Sequence, residues 1–176
     1  MAAVEFSLVA VLFLTFVFGI IEVARAMYIC NVLQEVTRQA AALATNTDFS
    51  NGAAMQRVRE RAIFRNTPGF LVLAEPITDQ HIIIDYMRIQ RNGTALTMEA
   101  IPASSLPANP TDNHINCTQN PYGESCIRLV RVRVCQPGSG EECTPVTYQA
   151  LVSLVPLPFG LPRSTTIANA ETLGMP

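Results

Sequence analysis

The sequence predicts an α+β fold, in which one long N-terminal α-helix packs on a small antiparallel β-sheet domain. Three observations predict it. Residues 6–21 form an uncharged apolar run; residues 23–44 continue it as an amphipathic pattern without Pro or Gly; several short alternating segments follow from residue 81, separated by Gly-, Pro- and Asn-rich turns. The expected division is a helix over 1–45 and a globular α+β head with two disulfides over 46–176. A chain of 176 residues fits one domain plus an extra element of this kind.

The first element is the run from Phe6 to Ile21, bracketed by Glu5 and Glu22. As a helix it spans roughly 24 Å, slightly short of the ~30 Å hydrocarbon core of a bilayer. Val4 and Val23 lengthen it, and bilayers thin to meet short spans. Three readings compete. A cleaved secretory signal is suggested by Ala24-Arg25-Ala26, but no Lys or Arg precedes the run and an acid stands at position 5. A plain single-span anchor explains the apolarity but gives Glu5 no role, although carboxylates near the membrane are costly. A helix that anchors the chain and later packs among other helices explains both.

Residues 23–44 favour the third reading. Met27, Val32 or Leu33, Val36, Ala40 and Leu43 recur at helical spacing, with Arg25, Gln34, Glu35, Arg38 and Gln39 as polar faces. The helix is therefore expected to run unbroken to about residue 45, its second half lying along its own head. Gly19 would permit close helix approach or local unwinding, or is simply a glycine tolerated in a membrane helix. Glu22 and Arg25, at i and i+3, either pair on one helix face or are separately solvated interface charges. Cys30, midway along the helix, reads as a small packing residue, with an intersubunit disulfide as the alternative.

The head begins with a turn cluster, Thr45 to Gly52. Ala53 to Phe64 follows as a second helix capped by Asp48, Ser50 or Asn51. Its Arg57, Arg59, Arg61 and Arg65 read as a solvated or intersubunit face, since no aromatic residues interleave them as a nucleic-acid platform requires. His81 to Gln90 and Thr94 to Ala100 form a hairpin about Asn92-Gly93. Residues 102–125 read as a loop. In Cys126 to Cys135, Val130, Val132 and Val134 point one way and Arg131 and Arg133 the other. Thr147 to Val155 and Ser164 to Thr172 complete a sheet of four or five strands.

Cys117, Cys126, Cys135 and Cys143 cluster in the head. Without a C-x-x-C they suggest two disulfides and an oxidising compartment rather than zinc, with free buried thiols as the alternative. Three pairings exist; Cys117–Cys126 with Cys135–Cys143 is expected, because each closes a short local loop.

Chemistry is sparse. The chain is 49% hydrophobic and 15% charged, with a formal net charge of −2, so no basic field draws nucleic acid. It has no Trp and two histidines, His81 and His114. Walker, G-x-G-x-x-G, G-x-S-x-G and H-E-x-x-H patterns are absent. Asp79 and His81 lack a nucleophile. Asp112, His114 and Cys117 share a segment as a weak metal candidate, and Asp85 and Glu99 would be paired acids across the hairpin or a solvated face. Asn92-Gly93-Thr94 and Asn116-Cys117-Thr118 match the glycosylation sequon and read as unmodified. The expectation is no catalytic residue, no metal and no cofactor.

The stretch Ala2-Ala3-Val4-Glu5-Phe6-Ser7-Leu8-Val9-Ala10, with Phe18-Gly19-Ile20-Ile21-Glu22 and then Arg25, Tyr28, Asn31, Leu33, Gln34 and Arg38-Gln39-Ala40-Ala41, resembles the TadE-like pilins of tight-adherence (type IV-related) pili. The likeness covers about the first quarter of the chain. It implies a non-enzymatic, secreted filament subunit, held in the bacterial inner membrane before assembly and extracellular afterwards. The implied partners are copies of itself in a helical homopolymer, a prepilin peptidase, pilus assembly machinery and other pilins. In that family the peptidase cuts a short leader and leaves the acid as fifth residue; Glu5 already stands there, so numbering from the processed Met1 is expected. Val11 stands where many relatives carry Pro, which implies a straighter helix. Glu5 would then pair with the amino group of Met1, within or between subunits, setting axial register, or is merely a first-turn residue at the membrane surface. The assembly residues expected are Met1, Glu5, Gly19, Glu22 and Arg25. The alternatives are a minor pilin that primes or caps another subunit's filament, and a single-span periplasmic binding module.

Overall fold

The structure, a computed structural model, describes residues 2–152, 158–170 and 173–174. Helix α1 (Ala2–Thr45) is one uninterrupted rod of 44 residues. At 1.5 Å per residue it is about 66 Å long. It holds no Pro, so every interior position keeps its backbone N–H, and Gly19 is its single glycine. After a turn, α2 (Gly52–Ala62) starts at Asn51, whose side chain accepts from the Ala54 N–H at 3.1 Å.

Four antiparallel strands follow: β1 (Ile82–Asn92), β2 (Ala95–Ala100), β3 (Leu129–Val134) and β4 (Thr165–Asn169), in spatial order β2-β1-β3-β4. The β1–β2 hairpin turns at Gly93, whose φ of 64° suits glycine. The sheet has two unlike faces. Ile82, Tyr86, Val130, Val132 and Val134 are buried in the core with α1. On the other face Asp85 accepts from Arg131 at 3.0 Å and Arg133 at 2.8 Å. Arg88, two residues beyond Tyr86 and on the same face as it, pairs with Glu99. Asp85 and Glu99 therefore do not pair as acids. The register sets Arg131 opposite Asp85 and Arg88 opposite Glu99, so each carboxylate meets a guanidinium.

Several expectations shift. Residues 102–125 are not wholly loop: α3 (Pro110–Gln119) lies within them, capped by the Asn109 side chain accepting from the Asp112 N–H at 2.8 Å. Asn-Pro is a sound N-cap and first-turn pair, but the polar composition around it masked the signal. Residues 147–155 form no named strand among the described residues; Thr147 makes an isolated bridge to Gly160, and 153–157 lie outside the description. The last strand covers 165–169 of the expected 164–172, with 171–172 likewise outside. Disulfides join Cys117 to Cys126 and Cys135 to Cys143. Cys117 is thereby removed from the metal candidate of Asp112 and His114.

The core runs along the second half of α1. Its buried stripe is Ala26, Ile29, Leu33, Val36, Thr37, Ala40, Ala41 and Ala44. This corrects the expected face: Met27 is 63% exposed. Small residues predominate at the far end, where α1 meets α2, β3 and β4 closely. There Thr166 on β4 donates to the Thr37 hydroxyl at 2.9 Å.

Candidate functional site

The first half of α1 stands bare. Val4, Phe6, Leu8, Val9, Val11, Leu12, Phe13 and Phe16 are all exposed, with no partner surface among the described residues. This is the one helix among the described residues long and apolar enough to cross a membrane. Glu5 lies in its first turn and is exposed. Its expected partner, the Met1 amino group, lies outside the described residues. A Cβ added at Gly19 would meet nothing within 4 Å, so packing inside the subunit does not demand this glycine.

Glu22 and Arg25 sit where the bare half meets the head, and both are buried, Glu22 completely. They are neither paired directly nor separately solvated. The Glu22 carboxylate accepts from the Tyr148 hydroxyl at 2.6 Å and from the backbone N–H groups of Leu151 at 2.7 Å and Val152 at 2.9 Å. Arg25 donates to the carbonyls of Leu73 at 2.9 Å, Gln149 at 2.6 Å and Glu75 at 3.4 Å, and to the Tyr148 hydroxyl at 3.2 Å. Tyr148 thus stands between the two charges, donating to one and accepting from the other. Its ring stacks on Phe159 with centroids 4.9 Å apart, and the Arg25 guanidinium lies 5.2 Å from its centroid.

Charge burial is costly unless every donor and acceptor is met. Here two head segments, 73–75 and 148–152, supply those partners. Burial pushes the Tyr148 hydroxyl above the ordinary tyrosine range, and its bond to Glu22 adds to that. The cluster has no nucleophile, and its groups are consumed in mutual hydrogen bonds. Its chemistry is mechanical, fixing the angle and depth at which the apolar helix leaves the head.

The sequence missed Tyr148, Leu73 and Leu151 as parts of this site. A signal for the helix side was present. Positions 22, 26, 29, 33, 37, 40 and 44 step by three and four, so Glu22 begins the buried stripe. Nothing in the sequence marked which head loops would answer it. Elsewhere the polar residues are structural. Asp79 accepts from Gln56 at 2.9 Å and the Gly69 N–H at 3.1 Å, and the Thr78 N–H donates to His81 Nδ1 at 3.0 Å. Cys30 is a half-buried free thiol.

Residues 1–42 match the family model described as TadE-like protein. The matched segment covers the whole bare half of α1, the Glu22–Arg25 lock and most of the buried stripe. No curated protein and no solved structure matches the chain significantly.

Proposed function

We propose that the chain is a structural subunit of a tight-adherence-type pilus, polymerising through the bare half of α1. One observation carries this reading: a single rigid helix is apolar and unpartnered in its first half and core to the head in its second. A tethered binding module needs only a flexible connection between anchor and head. Here the connection is continuous helix, with two buried charges fixing it at the junction. The TadE-like match over residues 1–42 supports the same reading.

In the membrane the bare half faces lipid. On assembly it exchanges lipid for the equivalent helices of neighbouring copies, so its apolar surface, worth roughly 25 cal/mol per Å2 kept from water, stays covered throughout. Its backbone stays satisfied within the helix in both states. Gly19 offers a notch for close approach of a neighbour. Glu5, exposed within the subunit, becomes enclosed in the filament core and is neutralised by the amino terminus of Met1 on the same or a neighbouring copy. The heads, stapled by two disulfides, form the outer surface. No catalytic role, metal or cofactor belongs to this reading.

Electron microscopy of material sheared from the cell surface, with mass spectrometry of its subunits, tests it. Thin filaments composed mainly of this chain are expected. Filaments containing only traces of it would make it a minor pilin, and retention wholly in the membrane fraction would make it an anchored module. Glu5→Gln should reduce filament number and length; unchanged filaments would remove Glu5 from assembly.

A further inference from the structure

Where α1 leaves the head, the loop over residues 70–73 and the backbone at residue 151 present large apolar side chains to the outside. Phe70 and Val72 are half exposed, Leu73 is 67% exposed and Leu151 64%. They line one cavity of about 490 Å3 with Arg25, Arg65 and the exposed Glu75. Leu73 holds a positive φ of 59°, in the left-handed region that branched, bulky residues avoid. The Arg25 bond to its carbonyl holds that backbone conformation and leaves the Leu73 side chain in solvent.

The lock fixes the level of these side chains. The Leu73 carbonyl accepts from Arg25, and the Leu151 N–H donates to Glu22. Both residues are therefore bonded to the first turn of α1 beyond Ile21, the last residue of the apolar run. A turn is about 5.4 Å, so the patch lies at the depth where that run ends. Arg65 stands at its rim, exposed, its guanidinium folded over Gly69 and donating to the Phe70 carbonyl at 3.4 Å.

We propose that this patch is a membrane-surface seat. While α1 spans the bilayer, Phe70, Val72, Leu73 and Leu151 enter the boundary between headgroups and acyl chains, and Arg65 faces lipid phosphates. Apolar side chains with one exposed cation, Arg65, at their edge suit that boundary, and Glu75 is the acid that shares the cavity. The occupant is the bilayer because the patch continues the apolar helix at the one level the lock permits. The inference rests on the membrane-held stage of the function proposed above. It adds that the head sits down on the membrane in one orientation rather than swinging above it.

The chain has no tryptophan of its own, so single substitutions report their own surroundings. The full chain would be reconstituted in vesicles of phosphatidylethanolamine and phosphatidylglycerol, with bromine on the acyl chains near the headgroup or near the chain end. Four variants are compared: Leu73→Trp, Leu151→Trp, Phe13→Trp within the span, and Leu96→Trp on the exposed edge strand. Expected are blue-shifted emission and quenching of Leu73→Trp and Leu151→Trp by bromine near the headgroup. Phe13→Trp should be quenched by the deeper bromine, and Leu96→Trp by neither. If Phe13→Trp is quenched while Leu73→Trp and Leu151→Trp behave like Leu96→Trp, the seat is refuted and the anchored helix stands. If Phe13→Trp is not quenched, the helix is not in the bilayer, and the membrane-held stage falls together with the seat.

Discussion

Glu22 is the only acid on α1 that water does not reach, and three donors take the place of that water. Glu22→Ala leaves the Tyr148 hydroxyl and two backbone N–H groups without their acceptor and strands the Arg25 charge. The loss should be about 3 kcal/mol, read from denaturant unfolding of the head in detergent. Glu22→Gln keeps the shape and one good acceptor, and should cost about 1 kcal/mol. Equal losses would mean that the carboxylate charge, which both variants remove, carries the effect rather than the acceptor that Gln retains. Tyr148 adds a pH signature. Its folded pKa is raised from the ordinary 10.0, so its contribution is intact below pH 10 and is lost as pH rises above that value toward the folded one. Burial raises Tyr86 as well. Tyr148→Phe should therefore weaken the alkaline loss of stability without abolishing it. An unchanged alkaline profile would contradict the buried position of Tyr148.

At the scale of elements, the rotation of the buried face of α1 can be checked by a pair of substitutions. Leu33 is fully buried, and Leu33→Ala should cost about 3 kcal/mol; Met27→Ala, on the exposed side, should stay within about 0.5 kcal/mol. The reverse order would restore the face centred on Met27. The Cys135–Cys143 bridge spans 8 positions, and replacing both residues by Ser should cost about 2.5 kcal/mol if chain entropy governs. Elements with strong local signals were legible: the α1 rod, the start of α2 with Asn51 among three candidate caps, the hairpin about Gly93, and the valines and arginines of β3. Both local disulfide pairs were legible as well. The rotation of the buried face was not, because the sequence offers apolar residues on more than one side of α1. Met27 and Tyr28 face outward although they resemble core residues. Helix α3 was hidden by the polar residues that surround its cap.

At the scale of the whole molecule, the plan is a long rod whose two halves meet different environments. The lock at Glu22 and Arg25 depends on contacts across more than a hundred residues of sequence, to Tyr148 and Leu151. No local pattern encodes such a partner, and so the site was legible only on its helix side. What remains uncovered is the bare half, whose apolar side chains none of the described head residues covers. If its final cover is other copies of itself, then engineered cysteines there must meet. The most direct measurement is oxidative cross-linking of a Cys30→Ala chain carrying Val9→Cys and Phe16→Cys, two turns apart on the exposed helix, in sheared surface material. A ladder of disulfide-linked multimers, absent from detergent-solubilised monomers, is the predicted result. Monomers alone after oxidation, in material where the chain is abundant, would contradict a filament core built from this helix.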